Sequence, residues 1–193
     1  MRAASPYHET EIKLPLAAAA DGRRLLRRAG FRVSKRKLFE SNTLFDTPEA
    51  KLRTAGSALR VRECDGRAIL TFKGPVLKSR HKTREELELD VSDGALFVSI
   101  LSRLGFAPAF RYEKYRTEFK QIRRGGVAML DETPIGTYLE LEGEPDWIDV
   151  AAKRLGFTAA NYITTSYVGL YSQFREQNPQ SPRDMVFPDK KAR

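Results

Sequence analysis

In one stretch after another of this chain, charged residues return at every second position. Glu9, Glu11 and Lys13 share the first such face. Arg60 and Arg62 alternate with Leu59 and Val61, and Thr71 and Lys73 with Leu70 and Phe72. Arg84, Glu86, Glu88 and Asp90 oppose Leu87, Leu89 and Val91. Lys114, Arg116 and Glu118 oppose Tyr115 and Phe119, and Glu140 and Glu142 alternate with Leu139 and Leu141. These charged faces carry both signs, and few neutral Thr, Ser or Gln residues dilute them as they would a solvated face. Lys and Arg match phosphate oxygens, whereas Glu and Asp match hard cations such as Mg²⁺ or Mn²⁺. A polyphosphate with a divalent metal meets both needs at once.

A period of two belongs to strands with two unlike faces. The connections are mostly short and turn-like, so the strands read as antiparallel. An ordinary sheet with its charged face in water is the plain alternative. A closed barrel is the other solution: its apolar exterior lies under helices, and its interior holds charge and water around a ligand. Charges buried in that way must be paired or coordinated.

The helices announce themselves by their ends. Arg28-Ala29-Gly30-Phe31, Arg103-Leu104-Gly105-Phe106 and Arg154-Leu155-Gly156-Phe157 each place a basic residue, a Gly and a Phe where a helix stops. Gly takes the left-handed cap, Phe packs back on the last turn, and the basic residue suits the helix dipole. This predicts helices near 17–29, 93–104 and 146–155, with a fourth over 166–176. Strands followed by a helix recur, as two related halves would give. The resulting fold class is α+β. From Gln177 onward, Asn178, Pro179, Ser181 and Pro182, and then Lys190, Lys191 and Arg193, read as a flexible basic tail over 177–193 behind a domain spanning 1–176.

Composition sets the outer limits. The chain has 193 residues with 41% apolar and 10% aromatic, enough for one domain with a real core. Its formal net charge of +9 favours anionic partners. Cys64 is the only cysteine, which fits a reducing cytoplasm and excludes both an internal disulfide and a thiolate zinc cluster. Met1 to Glu11 lacks the apolar run of a signal peptide, and no stretch is apolar for the length of a membrane span. Neither a membrane nor nucleic acid is expected as a partner, and a homodimer is left open.

At the N-terminus these faces meet a known pattern. Glu9-Thr10-Glu11-Ile12-Lys13 resembles the opening strand of the CYTH superfamily of triphosphate tunnel metalloenzymes. Asn42 to Pro48, with Phe45-Asp46-Thr47, resembles the strand and turn that follow. Leu59-Arg60-Val61-Arg62, Thr71-Phe72-Lys73-Gly74-Pro75, Arg84-Glu85-Glu86, Lys114-Tyr115-Arg116, Leu130-Asp131, Glu140-Leu141-Glu142 and Ser166-Tyr167 continue the likeness in order. It implies a closed or nearly closed eight-stranded antiparallel tunnel with helices outside. It also implies that Lys13, Arg60, Arg62, Lys73, Lys114 and Arg116 bind triphosphate, and that Glu9, Glu11, Glu140 and Glu142 hold Mg²⁺ or Mn²⁺. Glu9, Glu11, Lys13 and Asp131 would be catalytic, supported by Arg84, Glu86, Glu88 and Tyr167. The Lys-Gly-Pro and Arg-Glu-Glu strands together look most like the branch of class IV adenylyl cyclases, which make cyclic AMP and pyrophosphate from ATP. Hydrolysis of inorganic or thiamine triphosphate is the other enzymatic reading. A polyphosphate or RNA-end binding module without turnover, and an RNA 5′-triphosphatase, complete the alternatives. One departure stands out: some members carry Lys before the closing Ser-Tyr, where this chain has Thr165. The basic group at that end is then missing, or is supplied by Arg175 or the tail.

Other residues have plainer readings. His8 has the opposite strand parity to Glu9, and neither it nor His81 is expected to bind metal. Cys64 sits beside an Asp65-Gly66 turn as a bystander. Tyr112 and Tyr115 are expected to pack under a helix rather than stack on a base. Arg23-Arg24 and Arg27-Arg28 form a solvated helix face. Lys35-Arg36-Lys37 and the stretch from Lys78 to Lys82 read as basic loops that steer anions.

Overall fold

The structure is a computed structural model, and it describes residues 8–77, 79–121 and 125–188. Eight strands run β1 (His8–Leu16), β2 (Arg32–Asp46), β3 (Ala58–Cys64), β4 (Arg67–Lys73), β5 (Lys82–Val91), β6 (Ala107–Lys120), β7 (Val127–Thr133) and β8 (Gly136–Glu142). They close into one antiparallel barrel in the order β1-β5-β4-β3-β2-β6-β7-β8. The closed barrel implied by the resemblance is therefore present, rather than a sheet with its charged face in water.

The apolar halves of these strands face outward and are covered by helices. Ile12 and Leu14 on β1, Leu130 on β7, and Leu139 and Leu141 on β8 are fully buried under α1 (Ala19–Arg28) and α4 (Pro145–Arg154), against Leu26, Ile148 and Ala152. Val61 and Phe45 lie under α3 (Gly94–Arg103) with Leu101. Burying such side chains contributes about 1.5–3 kcal/mol each, and it fixes strand parity. Sliding β1 by one residue would expose Ile12 and Leu14 and push Glu11 and Lys13 into the helical layer.

The three helix ends behave alike. Gly30, Gly105 and Gly156 have φ of 84°, 87° and 89°. The amides of Phe31, Phe106 and Phe157 donate back to Leu26, Leu101 and Ala152 at 2.9, 3.0 and 3.0 Å. A short α2 (Lys51–Thr54) and a 3₁₀ turn (Ala159–Asn161) were not foreseen.

Three expectations are corrected. Lys35-Arg36-Lys37 lies inside β2, not in a loop, because β2 extends to pair with β6 as far as Arg32. Lys82 opens β5 and is buried; Lys78, named with it, lies outside the described residues. The stretch after α5 (Tyr167–Gln177) is laid along β6 rather than left free, since Met185 is fully buried against Tyr112, Tyr167 and Tyr171. Lys190, Lys191 and Arg193 are outside the described residues. Among those described, no helix is long and apolar enough to cross a membrane.

Candidate active site

The inward faces of the strands enclose one cavity of about 1310 Å³. Glu9, Glu11, Lys13, Arg60, Arg62, Lys73, Arg84, Glu86, Glu88, Lys114, Arg116, Glu140, Glu142 and Tyr167 all line it. Asp131 stands just behind the wall, with none of its surface exposed.

Most interior cations already hold a carboxylate. Lys13 reaches Glu11 at 3.1 Å and Glu140 at 3.2 Å. Lys73 bridges Glu9 at 2.7 Å and Glu86 at 2.5 Å. Arg60 and Arg62 share Glu88, at 3.2 and 3.1 Å. Lys82, missed as a site residue, donates to Glu11 at 2.5 Å. The parity of Arg84, Glu86 and Glu88, carried one step back, would have found it. Glu40 and Asn42 on β2 were also missed. Both are buried, and the amide of Asn42 has no protein partner for either polar atom, like Nε of Arg60 and of Arg84. Buried polar groups without partners are rare, and of these Arg60 and Arg84 line the cavity.

Asp131 has a different duty. It accepts two bonds from Arg116, from Nε at 2.7 Å and Nη2 at 2.6 Å, one from Lys114 at 2.9 Å and one from the hydroxyl of Tyr167 at 2.8 Å. Its oxygens are committed, so it positions Lys114 and Arg116. The Tyr167 ring lies 5.1 Å from both the Lys13 and the Lys114 ammonium groups, a cation–π arrangement. Ser166 caps α5 by accepting from the Gly169 amide at 3.2 Å. The closing Ser-Tyr thus anchors the helix start and orders two lysines. Asp46 accepts from the amides of Thr47, Leu52 and Arg53 at 2.8, 2.9 and 3.0 Å. The Phe-Asp-Thr turn is therefore a local cap.

Tyr112 and the Arg23-Arg24 pair follow their plainer readings, whereas Tyr115 packs on Phe39 of β2 and on Phe187 rather than under a helix. His81 is buried and bonds Asp149 on α4 at 2.8 Å, an oxygen shared with Tyr162 at 2.9 Å. Tyr112 packs against Tyr167 and takes a bond from Arg60 at 3.4 Å. Arg23 and Arg24 pair with Glu132 and Asp21 on the surface.

β1 and β8 set four glutamates on one wall, with Glu11 opposite Glu142 and Lys13 opposite Glu140. They are not electrostatically alike. Burial alone would raise Glu11 and Glu140, but Lys13 with Lys82, and Lys13 with Arg116, hold them well below the usual carboxylate range. Glu142 is pushed up to about 7 by burial and by the charge of Glu9, with Glu11 and Glu140 adding to it. Glu86 rises to about 8 through burial and its hydrogen bond with Glu9. Glu9 itself is lowered, since the bonds from Glu86 and Lys73 outweigh its burial. Lys82 falls to about 8 because burial, Lys13 and Arg84 outweigh Glu11. Among the described residues no three of these groups form a preassembled coordination cluster. The donor set is nonetheless all hard oxygen, and the raised pair, Glu86 and Glu142, marks a carboxylate excess that a divalent cation would relieve.

That excess has a consequence for stability. Glu86 and Glu142 titrate above their ordinary 4.5, so the folded chain holds more protons than the unfolded chain between there and about pH 8. In that window stability falls as pH rises. Metal-free Glu142→Gln is expected to resist urea better than the parent at about pH 8 and to match it at about pH 5. An unchanged pH slope would show that Glu142 is not strained by its neighbours.

Comparison with known proteins agrees with this geometry. The CYTH domain matches residues 7–167. A Methanocaldococcus jannaschii protein named putative adenylate cyclase is 32% identical over 135 residues, covering 69% of this chain and 75% of that one. A Vibrio parahaemolyticus structure of the same name superposes with a TM-score of 0.75 at 18% identity, covering 87% of this chain and 99% of that one. A Hippeastrum structure, named putative adenylyl cyclase and said to reveal a dominant triphosphatase activity, superposes at 0.61 with 19% identity, over 86% and 95% of the two chains.

Proposed function

The chain belongs to the CYTH family, and from that membership we propose that it is a metal-dependent enzyme converting ATP to cyclic AMP and pyrophosphate. The observation that carries this reading is a closed tunnel whose inward faces hold both a phosphate-matching set of cations and a wall of glutamates. A pure anion binder needs the first set more than the second, which weighs against a module without turnover. The cyclase assignment in particular follows the name borne by the Methanocaldococcus relative.

In phosphoryl chemistry the protein mainly positions groups and neutralises charge. Lys13, Lys73, Lys114, Arg60, Arg62 and Arg116 grip the three phosphates, and Asp131 and Tyr167 keep Lys114 and Arg116 aimed inward. Glu9, Glu11, Glu140 and Glu142 would hold Mg²⁺ or Mn²⁺, which when bound neutralises phosphate charge and polarises the phosphoryl oxygens. The ribose 3′-oxygen bonds to the α-phosphorus, the bond from that phosphorus to the bridging oxygen breaks, and pyrophosphate leaves. The hydroxyl proton goes to a nearby base.

Hydrolysis is the second reading, favoured by the triphosphatase activity attributed to the Hippeastrum neighbour. The same grip serves it with water as nucleophile. Incubation with ATP and Mn²⁺, with products resolved, separates the two. Cyclic AMP with equimolar pyrophosphate is the expected result. Orthophosphate without cyclic AMP, with faster turnover of inorganic or thiamine triphosphate, would replace the cyclase by the triphosphatase.

A further inference from the structure

The inward faces of β2 and β6 change character along their length. Deep in the tunnel they offer Glu40 and Asn42, and Lys114 and Tyr112. One inward position nearer the mouth they offer Leu44 and Phe110, paired directly across the two strands. Ala58 of β3, Pro108 of β6 and Val168 of α5 border the same end of the cavity. The entrance thus carries an apolar vestibule on this side, backed by the Tyr112, Tyr167 and Tyr171 cluster, with Asp46 and Arg53 also on the cavity lining. Leu44 and Phe110 do nothing for a phosphate. Covering their apolar surface with a flat ring removes it from water, which is favourable.

The segment after α5 completes this vestibule, and it lies beyond the residues matched by the CYTH domain. β7 pairs only with residues 115–119 of β6. The segment takes up the edge that β7 leaves. The Met185 amide donates to Arg111 at 3.0 Å, and the Met185 carbonyl accepts from Glu113 at 2.9 Å. Asp184 accepts from the Arg111 amide, and the Phe187 amide donates to Glu113, each at 3.0 Å. Held by this backbone, Arg183 stands at the rim. Its Nη2 donates to the Ala109 carbonyl at 2.8 Å, beside Phe110, and the side chain lines the cavity while remaining exposed. Thr164 and Ser166 line the same cavity, so the mouth where Thr165 lacks a family lysine receives a cation from the tail.

We propose that this vestibule is a nucleobase subsite and that Arg183 determines its specificity. The phosphates lie among the interior cations. The base emerges between Leu44 and Phe110 on one side and the planar Arg183 guanidinium on the other. A planar guanidinium stacks on a π-face as an ammonium does not, and bases of any identity stack on aromatic side chains. The inference rests on the triphosphate reading above and narrows it to nucleoside triphosphates, since inorganic triphosphate has nothing to place in the vestibule.

The test is calorimetric titration of the full chain in Mg²⁺ with two probes that resist turnover. One is the ATP analogue with carbon at both bridging positions of the triphosphate; the other is imidotriphosphate. The parent protein is expected to bind the ATP analogue about tenfold more tightly. Arg183→Ala should weaken the ATP analogue about tenfold and change imidotriphosphate by less than about twofold. Arg183→Lys should recover only part of the loss. Arg183 is exposed and is held by its hydrogen bond to the Ala109 carbonyl, so an unchanged melting temperature is expected and confirms folding. Equal weakening of both probes would make Arg183 a phosphate ligand and overturn the proposal, as would no weakening of either. A parent protein that binds imidotriphosphate as tightly as the ATP analogue also overturns it and leaves the triphosphate function standing. A parent that binds neither probe removes both.

Discussion

Chelation of divalent metal is expected to abolish turnover, and Mg²⁺ or Mn²⁺ to restore it. The reason lies in the ion pairs. Lys13 and Lys82 are bound to Glu11, Lys73 to Glu9 and Glu86, and Arg116 to Asp131 and Glu140. A triphosphate that recruits these cations strips the glutamates of their partners. A buried carboxylate without a partner costs several kcal/mol, and Glu142 already carries part of that strain. Polyanion and metal should therefore bind together: calorimetry with Mn²⁺ is expected to show weak binding alone and at least about tenfold tighter binding with imidotriphosphate present. Glu11→Gln or Glu140→Gln should lower turnover by about 10²-fold or more, the order seen when one electrostatic catalytic group is lost. Full activity in chelator, or Mn²⁺ affinity indifferent to imidotriphosphate, would refute the metal mechanism.

Asp131→Asn is expected to destabilise the fold by about 3–5 kcal/mol, the range for removing one partner from a buried charge pair. Asp131 has no exposed surface and is the partner shared by Lys114, Arg116 and Tyr167. An amide keeps its shape but gives up the charge and the symmetric pair of acceptors that the Arg116 fork needs. Lys114 would retain Glu40 at 3.6 Å, and Arg116 would retain Glu140. For a chain of this size the loss corresponds to about 6–20 °C in melting temperature. Urea unfolding that placed the variant within about 0.5 kcal/mol of the parent would show that Asp131 is not the anchor of this wall.

The period-two charge pattern was readable because it is local. A strand turns alternate side chains to opposite faces whatever it pairs with, so Glu9, Glu11, Arg60, Lys73, Arg116 and Glu140 could be assigned to one interior. The three Gly-Phe helix ends were readable for the same reason, being contained in a few consecutive residues. The resemblance placed these strands in the CYTH family, and the fold agrees.

What the sequence left open depends on contacts between distant segments. Lys82 was assigned to a loop because its partner, Glu11, is 71 residues away, and only closure of β5 on β1 turns it inward. Asp131 was grouped with the catalytic carboxylates because its identity does not reveal that Arg116, Lys114 and Tyr167 saturate it. The residues after Gln177 look unstructured by composition, yet β7 leaves an edge of β6 unpaired and Met185 fits the aromatic cluster beside it. Local spacing determined which side chains face the tunnel. Tertiary structure decided which of them neutralise one another, which are left strained, and which mouth receives Arg183, because each of those outcomes is a distance between strands that only barrel closure sets.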